Sequence, residues 1–244
     1  MLIHTRVCSF LSFLMVCFTL SFEVGAQTPA LDLVLLENPI RTERDRQADP
    51  RRKPLELLKL AQITAGMTVL DVASGGGYTA QVLALAVGPS GKTWAQIARP
   101  APGLEARLVA NPQANLQVLA RPLEDLFAAD SPRVDRVTLI LSYHDIVNTP
   151  TDRSKMNQAI FNALKPGGFL VVMDHAAKPG SGLSDTSTLH RIDEQTVIAE
   201  IVRAGFKLDG QSEAWRNPSD TYEQHSSKMD VPSDRFALRF IRPN

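Results

Sequence analysis

Residues 68–85 read TVLDVASGGGYTAQVLAL, and this stretch decides the fold. Val69-Leu70-Asp71-Val72 is a short apolar run with one carboxylate, which is typical of a buried parallel strand. Ser74-Gly75-Gly76-Gly77 follows, and glycine lacks the Cβ atom that keeps other groups away from the backbone. From Tyr78 onward, apolar side chains return at helical spacing. The stretch therefore predicts a strand, a glycine turn and a helix.

The carboxylate of Asp71 indicates which ligand such a turn would bind. A strand, glycine turn and helix form a common nucleotide-binding unit, with amide groups and a helix N-terminus facing the ligand. Gly75, Gly77 and Ala80 formally satisfy the dinucleotide pattern G-x-G-x-x-G/A. A carboxylate at the end of the strand would, however, repel a pyrophosphate. S-adenosylmethionine carries an ammonium, a sulfonium and no phosphate, so Asp71 favours that cofactor.

The segment VLDVASGGGY resembles motif I of the class I S-adenosylmethionine-dependent methyltransferases. Over roughly residues 38–244, and in its leader, the chain also resembles a family of methyltransferases among bacterial exported proteins. Its LKPGG segment at 164–168 is expected to turn into the fifth strand, at 169–173, and this turn recurs in class I enzymes. The resemblance implies a Rossmann-like α/β fold, with a seven-stranded, mostly parallel sheet, an antiparallel last strand and helices on both faces. It also implies S-adenosylmethionine as cofactor and methyl transfer (EC 2.1.1) as activity.

Length and charge are consistent with one enzyme domain. A chain of 244 residues can bury one sizeable α/β core. Lys+Arg and Asp+Glu both number 26, so no strong field favours nucleic acid or an anionic membrane. We therefore expect a small-molecule acceptor and no nucleic-acid partner, while no segment specifies the acceptor atom or the oligomeric state.

Residues 1–26 have the pattern of a signal peptide. His4 and Arg6 precede an apolar stretch at 7–22, and Val24-Gly25-Ala26 offers small residues for cleavage before Gln27. An uncleaved anchor is the alternative, although about 16 apolar residues fall short of the roughly 20 that span a bilayer. Cys8 and Cys17 both lie in this leader, so the mature chain has no thiol for a disulfide or a zinc site. We expect a periplasmic protein that has no membrane segment after cleavage.

The mature chain divides into residues 27–54 and a methyltransferase domain at 55–244. The first segment has a helix candidate at 31–37, followed by NPIRTERDRQADPRRKP, which is too charged to form core. It is either a solvated linker or, as in many class I enzymes, a lid over the cofactor. The lid candidates are Arg44, Asp45, Asp49 and Arg52.

The resemblance implies further cofactor contacts. At the end of the second strand, where class I enzymes carry an acid for the ribose hydroxyls, this chain has Gln96, a neutral and weaker partner. Glu124 or Asp125 stands where the family places an acid beside the adenine. The full set of candidates for cofactor binding is Asp71, Ala73, Ser74, Gly75, Gly76, Gly77, Tyr78, Gln96, Glu124, Asp125 and Tyr143.

Histidine and aspartate follow two predicted strands. Strand four leads into His144-Asp145, and strand five leads into Asp174-His175. Adjacent parallel strands open into the same crevice, so these four side chains are expected to lie together as catalytic candidates. Three interpretations stay open: an imidazole general base, with His144 first; a metal site partly like that of catechol O-methyltransferases; or a structural role.

A polar loop at residues 176–189 follows strand five and is long enough to cover a substrate. At its end, His190 and Arg191 are expected either to reach the acceptor or to cap the next helix. Two other functions remain alternatives: an exported binding protein that has lost turnover, and an NAD-dependent oxidoreductase. The second alternative is weakened by Asp71 and by the missing acid after the second strand.

The leader hypothesis makes a direct prediction about the protein purified from its native cells. We expect mass spectrometry to find Gln27 as the first residue, because cleavage after Ala26 removes the apolar stretch. An intact Met1 would contradict cleavage and favour the anchor.

Overall fold

The computed structural model describes residues 34–244, so the predicted leader at 1–26 lies outside the described residues, as do the first three residues of the helix expected at 31–37. The strands are β1 (Thr68–Val72), β2 (Lys92–Ile97), β3 (Leu116–Ala120), β4 (Val134–Ile140), β5 (Leu164–His175), β6 (Lys207–Gln211) and β7 (Arg235–Ile241). The helices are α1 (Glu43–Arg52), α2 (Pro54–Ala61), α3 (Tyr78–Val87), α4 (Pro102–Ala110), α5 (Tyr143–Val147), α6 (Arg153–Ala163) and α7 (Glu194–Arg203), with a 3₁₀ turn at Glu213–Trp215. Among residues 34–244, no helix combines the length and apolar character needed to cross a membrane.

The seven strands form one sheet in the order β3-β2-β1-β4-β5-β7-β6. The pairs from β3 to β5 are parallel, whereas β7 runs antiparallel to both β5 and β6. This confirms the predicted class I sheet. It also differs from the dinucleotide-binding sheet, whose six strands have the order 3-2-1-4-5-6 with no inserted antiparallel strand.

Helices cover both faces of the sheet. On β1, Leu70 packs into a core shared with α5, α6 and α7, whereas its neighbour Val69 packs against α2 and α3. On β5, Leu170 and Val171 divide between the two cores in the same way. Successive side chains of a strand point to opposite faces, so strands covered on both sides are apolar throughout. The carboxyl ends of β1, β4 and β5 are thereby held at one edge of the sheet.

The LKPGG segment does not form the turn that the sequence predicts. It belongs to β5, where Leu164 already pairs with Val134, and a register shift follows between Val134 and Arg136. Gly167 has a φ of 73°, and a Cβ at Gly168 would lie 2.8 Å from the Lys165 carbonyl oxygen. The two glycines therefore allow an irregularity in the pairing of β5 with β4. The local preference of these residues for a turn does not indicate that they lie inside a strand.

The charged segment before the domain is folded rather than solvated. Thr42 and Asp45 form a reciprocal capping box that starts α1: the Thr42 hydroxyl accepts from the Asp45 amide, and the Asp45 carboxylate accepts from the Thr42 amide. Arg41 and Asp45 are only 2% and 3% exposed. The expectation that this segment contributes nothing to the interior is therefore wrong, because its charges are paired within the fold.

Ion pairs hold α1 against the glycine turn. Arg107 on α4 donates to both oxygens of Asp45 at 2.8 Å and to the Gly76 carbonyl at 2.9 Å. Asp49 accepts from the Tyr78 hydroxyl at 2.6 Å, next to the turn. Of the lid candidates, only Arg44 points into solvent. The position over the turn fits a lid, and the lid function stays a prediction.

We expect Asp45→Asn to lower the free energy of unfolding at pH 7 by about 2 kcal/mol. Burial raises the pKa of Asp45, but the bonds from Arg107 and Thr42 outweigh it and lower that pKa from 3.8 to about 2. A depressed pKa stabilises the fold above the unfolded value, and this contribution is lost as the pH falls through the folded value. Urea denaturation should therefore show the two proteins converging in stability between about pH 4 and pH 2.

Glu43→Gln is the matched control, because Glu43 lies in the same helical turn and is exposed. It should change the stability by less than about 0.5 kcal/mol. Equal losses in both variants, or a difference for Asp45→Asn that persists at pH 2, would show that the Arg107 ion pair is not the source.

Candidate functional site

Asp71 is a buried carboxylate with one oxygen left unpaired. It lies on β1, is 2% exposed, and its Oδ1 accepts from the Thr138 hydroxyl of β4 at 2.7 Å. Its Oδ2 is buried and has no hydrogen-bond partner among the described residues. Burial raises the pKa of Asp71 to about 6, against the opposing effects of Thr138, Ser74 and the charge of Arg52. The free oxygen is therefore suited to a cationic ligand.

The glycine turn leaves open space above its backbone. Ala73, Gly75 and Gly77 all have positive φ values, of 53°, 54° and 78°. A Cβ at Gly75 or Gly76 would meet no atom within 4 Å, whereas one at Gly77 would lie 2.6 Å from the Leu104 side chain. Gly77 is thus required for packing α4 against the turn, while Gly75 and Gly76 expose backbone to a ligand. We call Asp71 and this turn together the cradle; the turn is present as the sequence predicts, and its contact with a cofactor stays a prediction.

Gln96 holds two loops together. Its Oε1 accepts from the Ala73 amide at 2.8 Å, and its Nε2 donates to the Arg121 carbonyl at 2.7 Å. The side chain is fully buried. The predicted contact with a ribose would require these bonds to be exchanged, so in this structure Gln96 positions the glycine turn.

The residues predicted near the adenine have other partners. The Glu124 carboxylate accepts from the Asp152 amide at 3.0 Å, and the Asp125 side chain, 61% exposed, pairs with Arg121. A contact of either acid with an adenine stays a prediction.

Tyr143 does not face the crevice, and its assignment to the cofactor is wrong. It is fully buried, and its hydroxyl donates to Glu200 at 2.7 Å and accepts from Asn157 at 2.8 Å. Burial and the Glu200 charge raise its pKa far above the usual range. Because α5 begins at Tyr143, the ring turns into the core between α6 and α7. The sequence, in which Tyr143 directly precedes His144, does not indicate that the tyrosine ring points into the core.

The ends of β4 and β5 bring His144 and Asp174 together, as the sequence predicts. His144 Nδ1 lies 2.6 Å from Asp174 Oδ1, and the His144 amide donates to Asp174 Oδ2 at 3.0 Å. Asp174 is fully buried. A carboxylate only accepts, so Nδ1 of His144 carries the proton and its Nε2 is free to accept one. Burial lowers the pKa of His144, but the bond and the charge of Asp174 outweigh it and raise that pKa above its usual value.

His190 extends this pair into a chain that reaches solvent. Its Nδ1 lies 3.0 Å from Nε2 of His144, whose side chain is only 2% exposed, whereas that of His190 is 41% exposed. Asp145 Oδ1 lies 3.4 Å from His144 Nε2 and 3.5 Å from His190 Nε2. With the proton of His144 on Nδ1, His190 donates through Nδ1 and presents an unprotonated Nε2. The exposed member of the chain is thus His190.

His175 lies beside this chain without joining it. Its Nδ1 is 2.6 Å from the Ser233 hydroxyl, and its ring meets that of His144 edge-on at 5.7 Å. Burial, with the charge of Arg235, lowers its pKa to about 3 despite Asp174, so it stays neutral. His225, which the sequence analysis did not single out, stacks on His190 at 4.8 Å. No local sequence pattern connects His190 with His225, because these two residues are distant in sequence and become neighbours only after folding.

The same cluster has the spacing of a metal site. His144, Asp145 and His190 each offer a ligand atom, and these atoms lie within 4.8 Å of one another. Two imidazoles and one carboxylate would suit a transition metal rather than magnesium. The geometry is therefore compatible both with a proton relay and with metal binding.

A comparison with protein families finds a match over the part of the chain that contains Asp71 and the glycine turn. A family model described as protein-L-isoaspartate(D-aspartate) O-methyltransferase matches residues 51–124, which run from α1 through the glycine turn to Glu124. The match covers less than half of the chain. It coincides with the segment that resembles motif I.

Solved structures match most of the chain. A methyltransferase from Aquifex aeolicus is 19% identical with a TM-score of 0.58, covering 81% of this chain and 96% of its own. Fibrillarin from Aeropyrum pernix, solved with natively bound S-adenosyl-L-methionine, is 13% identical with a TM-score of 0.50, covering 76% and 74%. The [4+2]-cyclase SpnF is 14% identical with a TM-score of 0.61, covering 85% and 86%.

At these identities the likeness establishes the fold, and the cyclase illustrates that this fold is also used by a protein named for another reaction. The sheet order, the cradle at Asp71 and the matched proteins agree. The chain therefore has the class I fold of the S-adenosylmethionine-dependent methyltransferases.

Proposed function

We propose that the protein transfers the methyl group of S-adenosylmethionine to a small acceptor held above β4 and β5. The observation that carries this proposal is the Asp174–His144–His190 chain, which lies at the carboxyl ends of β4, the neighbour of β1 and its cofactor cradle, and of β5 beyond it. Ligands of open α/β sheets bind in this crevice.

The amino-acid end of the cofactor matches the charges around β1. It carries an ammonium and a carboxylate, and the chain offers the unpaired Oδ2 of Asp71 and the guanidinium of Arg52. Arg52 lies over the Tyr78 ring at 5.3 Å, and no ion pair among residues 34–244 occupies it. When bound, S-adenosylmethionine supplies an electrophilic methyl group on its sulfonium.

The histidine chain would remove the proton that the acceptor loses. His190 Nε2 takes the proton as the acceptor atom bonds to the methyl group, and Nδ1–H of His190 remains bonded to His144 Nε2. Asp174 fixes the orientation and tautomer of His144, and Asp145 stabilises the imidazolium that forms on His190. The sequence placed the base at His144, whereas burial of that ring favours His190 as the residue that contacts the acceptor.

We also infer that the enzyme acts outside the cytoplasm, because the leader has the charge, apolar stretch and small residues of a signal peptide. Methyl transfer in that compartment would require S-adenosylmethionine to be supplied there. An exported binding protein of the same fold would bind S-adenosylmethionine without turnover, and the next two experiments separate these cases.

We expect Asp71→Asn to weaken S-adenosylmethionine binding at least about tenfold at pH 7, since the neutral amide loses a charge-assisted bond to the ammonium. Because the pKa of Asp71 is about 6, wild-type affinity should rise as the pH increases from 5 to 7, while the variant stays flat. Calorimetric titration measures both.

Asparagine keeps the acceptor oxygen for Thr138, so the variant should fold. Asp130→Asn, on an exposed loop, should bind like wild type. Equal affinity of Asp71→Asn and wild type, or binding of NAD in place of S-adenosylmethionine, would overturn the cofactor assignment.

Turnover can be followed as S-adenosylhomocysteine formed from S-adenosylmethionine over a panel of small phenols, amines, thiols and carboxylates. On any acceptor found, His190→Gln and His144→Gln should each lower kcat by about 10²- to 10⁴-fold with unchanged cofactor affinity, because each interrupts proton removal. His225→Gln is the control, since it stacks on His190 outside the chain.

Full turnover by His190→Gln would place the base elsewhere. Loss of turnover in a chelator, restored by a divalent metal, would instead assign His144, Asp145 and His190 as metal ligands. Binding of the cofactor without turnover on any acceptor would favour the exported binding protein.

A further inference from the structure

A cationic pocket of about 310 Å³ lies at the start of β7. Its lining includes Arg51, Lys53, Arg216 and Arg235, together with the polar side chains of Asn217, Ser219 and Ser233. No carboxylate is among the described residues that line it. Arg216 is already paired with Glu194 and Asp234, so the remaining positive charge comes from Arg51, Lys53 and Arg235. A pocket of this size holds a small ligand, and this charge favours an anion.

Arg235 is the buried cation of this pocket, and no carboxylate among the described residues forms an ion pair with it. It is 7% exposed, its Nη1 donates to the Arg51 carbonyl at 2.9 Å, and its Nε has no partner within residues 34–244. None of the ion pairs in that part of the chain includes it. Burial and the charges of Arg52 and Arg51 lower its pKa to about 10, against the opposing effect of the Asp174 charge. The fold thus holds a guanidinium whose burial is only partly compensated.

Arg191 shows how this protein treats a structural arginine. It is fully buried, and its guanidinium meets both oxygens of Asp220 at 2.9 and 3.1 Å, as well as the Ala176 and Gln224 carbonyls. The sequence left open whether Arg191 reaches the acceptor, and these bonds make it part of the framework. Removing a buried cation from water is costly unless it is paired. Arg191 is paired with a carboxylate and Arg235 is not, which indicates that Arg235 is positioned to bind a ligand.

The pocket adjoins the crevice proposed for the acceptor. Arg235 pairs across the strands with His175, which follows Asp174 on β5, and Ser233 contacts the His175 ring. In the sheet order, β7 is three strands from β1, or about 14 Å at the usual strand spacing, on the side away from β2. The pocket therefore borders the end of β5 that carries Asp174 and His175, and on another side it borders α1, whose Arg51 lines it.

We propose that this pocket binds an anionic group of the methyl acceptor, a carboxylate or a phosphate, with Arg235 as its central ligand. The proposal rests on the proposed function, since it identifies the acceptor of that reaction as an anion. A guanidinium offers two parallel N–H donors to such a group, and the bound anion would supply the charge that Arg235 lacks. The other end of the acceptor would then extend toward His190.

The test is calorimetric titration of the purified protein with inorganic phosphate and, separately, with acetate, at constant ionic strength. We expect wild type to bind at least one of them, and saturating S-adenosylmethionine to leave that affinity unchanged. Arg235→Met should weaken the binding at least about tenfold, because a charge-assisted bond is lost. Arg235→Lys keeps the positive charge but loses the two parallel N–H donors, so its affinity for the anion should lie between those of wild type and Arg235→Met.

Arg203→Met, an exposed arginine at the end of α7, is the matched control and should bind the anion like wild type. Folding of Arg235→Met is checked by thermal unfolding, where it should be at least as stable as wild type because a costly buried charge is removed, and by its affinity for S-adenosylmethionine, which should match wild type. No anion binding to wild type, or equal binding to wild type and Arg235→Met, would overturn the proposal. Displacement of the anion by S-adenosylmethionine would also overturn it, by assigning the pocket to the cofactor. Cofactor binding without anion binding leaves the proposed methyl transfer intact.

Discussion

The buried carboxylate of Asp71 is the constraint on which the site depends. A side chain that is 2% exposed, with one oxygen bonded to Thr138 and the other unpaired, costs free energy in the free protein. Its raised pKa expresses that cost. A cationic ligand would relieve it, and the parallel pairing of β1 with β4 keeps Thr138 in place to hold the carboxylate. The cofactor cradle therefore follows directly from the packing of the two central strands.

Charge organises the surroundings of that carboxylate. Arg107 connects α1, α4 and the glycine turn through Asp45 and the Gly76 carbonyl. A segment whose sequence is typical of a polar linker is therefore packed against the glycine turn. Such pairs are compatible with partial burial because each charge meets an opposite one. Arg235, on the side proposed for the acceptor, has no such partner in the part of the chain that the structure describes, and neither has Arg52 beside the glycine turn. The crevice thus contains an unpaired carboxylate oxygen at β1, with Arg52 near it, and an unpaired guanidinium nitrogen at β7.

The proposed proton relay is assembled from three separate parts of the chain. His144 comes from the end of β4, Asp174 from the end of β5, and His190 from the loop that follows. The first two are held at the ends of the parallel strands, while His190 lies on a loop and itself has a left-handed φ of 55°. This division makes the buried pair rigid and leaves the exposed imidazole at the surface where an acceptor can approach.

The sequence by itself determined the strands, the glycine turn, the sheet class and the meeting of His144 with Asp174. These follow from local apolar periodicity and from the rule that parallel strands open at one edge. Only the tertiary structure decided that Tyr143 turns into the core, that Gln96 connects two loops, and that LKPGG lies within a strand. It alone brought His190 to His144 and left Arg235 without a carboxylate. The physical reason is that hydrogen-bond partners and counter-charges distant in sequence become neighbours only through packing, and local propensity carries no information about them.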